Sequence, residues 1–223
     1  MNDYLFFIPI ALALAVGVIS PGPSFLFVAQ TAMNTSRNHG IATSLGMGTG
    51  ALILSLMAIT GLFVVLQTIP VFYLVLKIVG GAYLFYIAYQ MWQGANEPIG
   101  ANSNSDSNSS QTTPSLTNED FSLTNGSLTK AYALGLLTQL SNPKTAIVIG
   151  GIFMAFLPEE LPDYSIILLS LMAFVIDASW YVLVAIALTT PHAQRVYLRF
   201  KKSINRVASG LMGLLGLKLV FNQ

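Results

Sequence analysis

The sequence predicts an all-α membrane protein: six transmembrane helices arranged as two inverted three-helix repeats, with the first and fourth helices broken. Three observations predict it. Of the 223 residues, 54% are hydrophobic and only 9% charged, against about 25% charged in an ordinary soluble domain. Stretches with little or no charge recur at 4–36, 41–66, 71–92, 131–157, 164–190 and roughly 207–221, each near or above the roughly 20 residues that cross a bilayer, the last being the shortest. A polar segment separates the third stretch from the fourth, so three lie on each side, and an odd number per half means that homologous halves enter the membrane in opposite senses.

The first stretch begins behind a single early charge, Asp3, where a cleavable signal would begin with basic residues. It is therefore expected to be a permanent span. As one straight helix its 33 residues would run about 50 Å through a hydrocarbon layer about 30 Å thick. The motif "SPGPS" shortens it. Pro21 and Pro23 each remove a backbone donor, and Gly22 admits conformations other residues avoid. Backbone groups freed at that depth survive only where protein or a water-filled cavity covers them. Two readings stand for Ser20, Pro21, Gly22, Pro23 and Ser24: a proline kink used for packing, or a binding element that turns a half-helix N-terminus toward an anionic group.

In the second stretch, Gly46, Gly48 and Gly50 of "GMGTG" put small residues on one helix face. Close packing is the favoured reading over ligand contact, and the same face could serve a homodimer. In the third, Lys77 either snorkels or faces a cavity, while Tyr83, Tyr86, Tyr89 and Trp92 fit an interfacial aromatic belt. Residues 94–129, rich in Ser, Asn and Thr, are expected to be a disordered linker. The domain plan is then 1–93 for one repeat and 130–223 for the other.

The fourth stretch carries "SNPK", with Asn142, Pro143 and Lys144 at its midpoint. A second break at matching depth in the second half is the best sequence pointer to a transporter site. A lysine there costs about 2.5 to 3.5 kcal/mol on insertion scales, so it should meet a partner or a cavity. Asp177, at the middle of the fifth stretch in "FVIDASWY", is the only acid within a span. It is a candidate proton carrier or amine-binding group, with a structural ion pair to Lys144 or Lys77 as the alternative. In the sixth, Lys218 is expected to snorkel. Weak likenesses between the halves pair "SPGPSFLFVAQ" with "SNPKTAIVIGG" and "LKIVGGAYLF" with "NRVASGLMGL".

Seven of the ten Lys and Arg residues fall after spans one, three and five, and none among the termini and loops of the other face. By the positive-inside rule the linker is cytoplasmic and both termini lie outside. No cysteine is present, which excludes disulfides and thiol relays. No histidine lies within a span to activate Ser24 as a nucleophile, and no intramembrane His, Asp or Glu pair has metal-ligand spacing. No enzyme activity, cofactor, metal or nucleic acid is expected; a membrane carrier remains.

Taken together, "SPGPSF", "LKIVGGAYLFYIAY", "SNPKTA" followed by "FLP", and the mid-span Asp177 resemble the LysE/RhtB-type amino-acid exporters of bacteria. The resemblance covers nearly the whole chain apart from the linker, which is long for such a protein. It implies an inner-membrane exporter of amino acids or close derivatives, driven by the proton gradient. Ser20 departs from the pattern, since a glycine is common there. Export of another small solute and a non-transporting membrane subunit are the alternatives. Within the leading reading, the substrate carboxylate meets backbone amides and Lys144, and its amine meets Asp177.

Overall fold

The computed structural model describes residues 6–19, 22–68, 127–158 and 162–189, with short helical pieces at 78–79, 81–82, 85–86, 88–89, 92–93, 202–203, 206–211, 213–214 and 216–217. Ser20, Pro21, Lys77 and Lys218, the segment 94–126, and much of the third and sixth predicted spans lie outside the described residues.

The first predicted span is two helices, α1 (Phe7–Ile19) and α2 (Pro23–Asn34), whose axes turn by 59°. Pro23 opens α2 at a position where a missing N–H costs nothing, and Gly22 precedes it in an extended conformation. A two-residue turn leads to α3 (Arg37–Thr68). Ser36 caps α3: its Oγ accepts from the His39 N–H at 3.3 Å and lies 2.7 Å from His39 Nδ1. The His39 imidazole therefore belongs to the start of α3.

Residues 127–158 also form two helices on either side of a short break. Helix α4 (Leu128–Leu140) is capped by the Ser127 hydroxyl, and α5 (Pro143–Phe156) follows after Ser141 and Asn142. Pro143 opens α5 as Pro23 opens α2, and the Asn142 side chain accepts from the Lys144 N–H at 3.0 Å. Helix α4 starts two residues before the predicted boundary at 130, because Ser127 supplies a cap there. Helix α6 (Asp163–Ala187) is unbroken. Among the described residues, Arg37–Leu62 of α3 and Tyr164–Ala187 of α6 are each long and apolar enough to cross a bilayer, and α1 with α2 makes a third such unit.

Two apolar cores stack along α3 and α6. One gathers Ile10 and Leu14 of α1, Ile59 of α3, Ile152 and Phe153 of α5, and Leu169 of α6. The other gathers Phe25, Phe27 and Val28 of α2, Met47 of α3, and Tyr181, Val184 and Ala185 of α6. The two continuous helices run through both cores, whereas both broken pairs break between them. Outward-facing Ile8, Leu12, Met57, Ile167, Leu171 and Leu183 are exposed. Such an apolar periphery suits contact with lipid chains rather than water.

The glycines of "GMGTG" pack inside the chain. A Cβ at Gly46 would run into the Tyr132 carbonyl and one at Gly50 would stand 2.7 Å from Gln139 Cβ, while Gly135 of α4 presses on the Thr43 carbonyl of α3. Gly48 faces the opposite way, onto Ala178 and Phe174 of α6. Because the α3 and α4 backbones touch, Thr43 Oγ1 can donate to the Ala131 carbonyl at 3.2 Å and Tyr132 Oη to Thr49 Oγ1 at 2.8 Å.

The described pieces of the third and sixth predicted spans lie against each other. The Arg206 guanidinium sits 5.4 Å over the Trp92 ring, Ser209 Oγ donates to the Ala88 carbonyl, and a Cβ at Gly216 would stand 2.9 Å from the Gly81 carbonyl oxygen. As numbers fall along one piece they rise along the other, so the two run antiparallel. Tyr86, Tyr89 and Trp92 are exposed.

Candidate functional site

A cavity of about 40 Å³ opens where the two cores meet. Its polar wall is made by Gly22 and Ser24 around the start of α2, Asn142, Lys144 and Thr145 around the start of α5, and Asp177 and Tyr181 of α6. Leu14, Val18, Val148, Ile149 and Ile176 supply the apolar remainder. The volume suits about three waters, and even alanine has twice as many heavy atoms, so an amino acid needs the walls to part.

Three of these groups, Ser24, Asn142 and Asp177, are joined through Gln139 by a hydrogen-bond chain. Asn142 Nδ2 donates to Ser24 Oγ at 2.8 Å, Ser24 Oγ donates to Gln139 Oε1 at 2.7 Å, and Gln139 Nε2 donates to Asp177 Oδ2 at 2.8 Å. All four side chains are buried. Partnering of this kind is what lets polar groups persist between two apolar cores, since an unpaired one costs about 1 to 3 kcal/mol. The chain ties α2, the α4–α5 break and α6 into one polar seam.

Lys144 reaches across the seam toward the other break. Its Nζ lies 3.3 Å from where a Cβ on Gly22 would stand. The ammonium therefore gathers beside the N-terminal end of α2, while its own backbone belongs to the first turn of α5. Two helix N-termini and a lysine make this corner favourable for an anion, and Asp177 supplies a carboxylate on the same cavity.

Of the residues singled out in the sequence, Gly22, Ser24, Asn142, Lys144 and Asp177 meet at this cavity. Pro23 and Pro143 shape it by starting α2 and α5. Ser20, Pro21 and Lys77 lie outside the described residues. Gln139 was missed in the sequence, although it is fully buried and bridges Ser24 to Asp177. The available signal was a lone amide inside an apolar run, three residues before Asn142. Among the described residues no cluster of three metal-ligating side chains occurs.

Apolar outer faces, bilayer-length helices and a polar seam between two cores define a helical membrane protein with an internal polar site. The family profile described as "LysE type translocator" matches residues 15–223, and the chain belongs to that family. It is 28% identical over 225 residues to a threonine efflux protein of Salmonella typhi, covering 98% of this chain and 99% of that one. A threonine efflux protein of Escherichia coli K12 is 27% identical over 221 residues, with the same coverage. An uncharacterized membrane protein of Haemophilus influenzae is 25% identical over 206 residues, covering 92% of this chain and 91% of that one. No solved structure matches the chain.

Proposed function

We propose that this translocator exports small neutral amino acids across the bacterial inner membrane in exchange for protons. The observation that supports it most is the meeting of Lys144, two helix N-termini and Asp177 on one cavity between two apolar cores. A zwitterion needs that pair of charges: its carboxylate meets Lys144 and the amides at the start of α2, and its amine meets Asp177. The remaining wall offers methyl and methylene groups, the Thr145 hydroxyl and Tyr181, which suits a short uncharged side chain and gives a cationic one no counter-charge. The names of the Salmonella and Escherichia relatives agree with this substrate class.

In the same reading, Asp177 alternates between substrate amine and proton, so that one is released as the other binds. The chain has six spans in two inverted repeats, with both termini outside and residues 94–129 on the cytoplasmic side. The recurrence of a break opened by proline, at Pro23 and Pro143, supports the repeat.

Purified protein in liposomes, given a panel of labelled amino acids under an imposed pH gradient, tests the proposal. Threonine-sized neutral amino acids move and lysine does not; absence of flux for every amino acid refutes it. Lys144→Ala lowers apparent affinity about 10- to 100-fold, the effect of losing one charge-assisted hydrogen bond. Asp177→Asn abolishes the response to the pH gradient, because an amide neither gains nor loses a proton in the accessible range. A gradient response that survives Asp177→Asn removes Asp177 as the proton carrier.

A further inference from the structure

The hydrogen-bond chain has a direction, and that direction depends on one group. With Asp177 accepting at Oδ2, Gln139 must present its Nε2 to Asp177 and its Oε1 to Ser24, and Ser24 must send its hydroxyl hydrogen to Gln139. Asn142 Nδ2 already occupies one lone pair of Ser24 Oγ. A proton added at Asp177 Oδ2 turns that oxygen from acceptor to donor, and the Gln139 NH₂ then faces an O–H. Turning the Gln139 amide over restores the bond: Oε1 accepts from Asp177 and Nε2 donates to Ser24. A hydroxyl oxygen has two acceptor sites, so Ser24 Oγ accepts from both amides and its own hydrogen is released toward the cavity it lines.

We propose that Gln139 is a positioning residue that links the protonation state of Asp177 to the direction in which the Ser24 hydroxyl donates. The inference rests on the proton-coupled reading above and adds a route by which a proton on α6 changes the α2 side of the substrate cavity. It moves no heavy atom beyond one amide rotation and breaks no covalent bond other than that of the proton delivered to Asp177; the two hydrogen bonds of Gln139 are exchanged for two of opposite sense. A buried amide suits the task because its two ends differ only in hydrogen-bonding sense. Among the described residues, the charged or titratable groups lining the cavity with Asp177 are Lys144 from α5 and Tyr181 from α6 itself; α1 brings Leu14, Gly17 and Val18, α2 and its N-cap bring Ser24 and Gly22, and α3 brings Ala51. Gln139 of α4 is the link between Asp177 and Ser24.

The test is an infrared difference titration of the full chain in liposomes, following the protonated-carboxyl band assigned to Asp177 by its absence in Asp177→Asn. Ser24→Ala moves the midpoint of that band by roughly half a pH unit or more, because it changes the far end of the chain. In a Gln139→Met background, Ser24→Ala no longer moves it. Gln139→Asn, one methylene too short to touch both neighbours, gives the same loss and serves where the Met variant does not fold. An Asp177 midpoint indifferent to Ser24→Ala in the otherwise unaltered chain overturns the proposal, as does an equal shift with and without Gln139. The titration needs no substrate. Intact coupling without amino-acid flux therefore sinks only the transport reading, and flux without coupling sinks only this one.

Discussion

Gly22 shows how one missing methyl group serves the site. Its φ of −139° is open to any residue, so the glycine answers to space rather than to backbone conformation. The space is taken by Lys144, whose Nζ would lie 3.3 Å from an added Cβ. Gly22→Ala is expected to fold normally, since a lysine end can yield a few tenths of an ångström. The ammonium is displaced from the α2 N-terminus and apparent affinity falls several-fold, read as a raised KM for export with an unchanged melting temperature. Equal losses in KM and melting temperature would contradict this. At this scale much of the site was legible: Ser24, Asn142, Lys144 and Asp177 are each conspicuous because membrane depth makes a polar or charged side chain costly. Gln139 was not, because an uncharged amide can be satisfied in many ways and sequence does not say which neighbours it meets.

Helices α1 with α2 and α4 with α5 follow one local rule, a proline at the first helical position behind a residue in extended conformation. That rule was readable, and so were the breaks. The contact between α3 and α4 was readable only as an option, since glycines four apart permit either an internal or an external partner. The partner is Tyr132 to Gln139 of the same chain. Gly46→Leu therefore drives a side chain into the Tyr132 carbonyl and the Leu136 amide, both backbone groups that cannot step aside. Overpacking of this kind typically costs about 1 to 3 kcal/mol, and backbone contact puts this case at the upper end. Thermal unfolding in detergent should show a clear drop for Gly46→Leu and almost none for Gly61→Leu, whose added Cβ meets nothing within 4 Å.

For the whole molecule, hydropathy announced a membrane protein, and a total of nine acidic and ten basic residues left their distribution to speak for orientation. The stacking of two cores was not legible, because the same apolar residues serve core and lipid-facing surface alike. The absence of cysteine makes the predicted topology simple to test. In intact cells, a membrane-impermeant maleimide should label Asn2→Cys and leave Ser105→Cys unlabelled until the membrane is opened; the reverse pattern inverts the assigned orientation. The polar seam lies near the middle of α6, with an apolar core on either side. In electrical terms the two cores are insulators and the seam is a plate held between them. Moving one elementary charge across a whole membrane at 100 mV is worth about 2.3 kcal/mol, so a charge passing from the seam to one face crosses roughly half of that. The membrane voltage thus acts directly on the net charge that Asp177 and Lys144 hold together and, in the transport cycle proposed above, on that of the bound amino acid as well, and a neutral combination is the one that would turn over without feeling it.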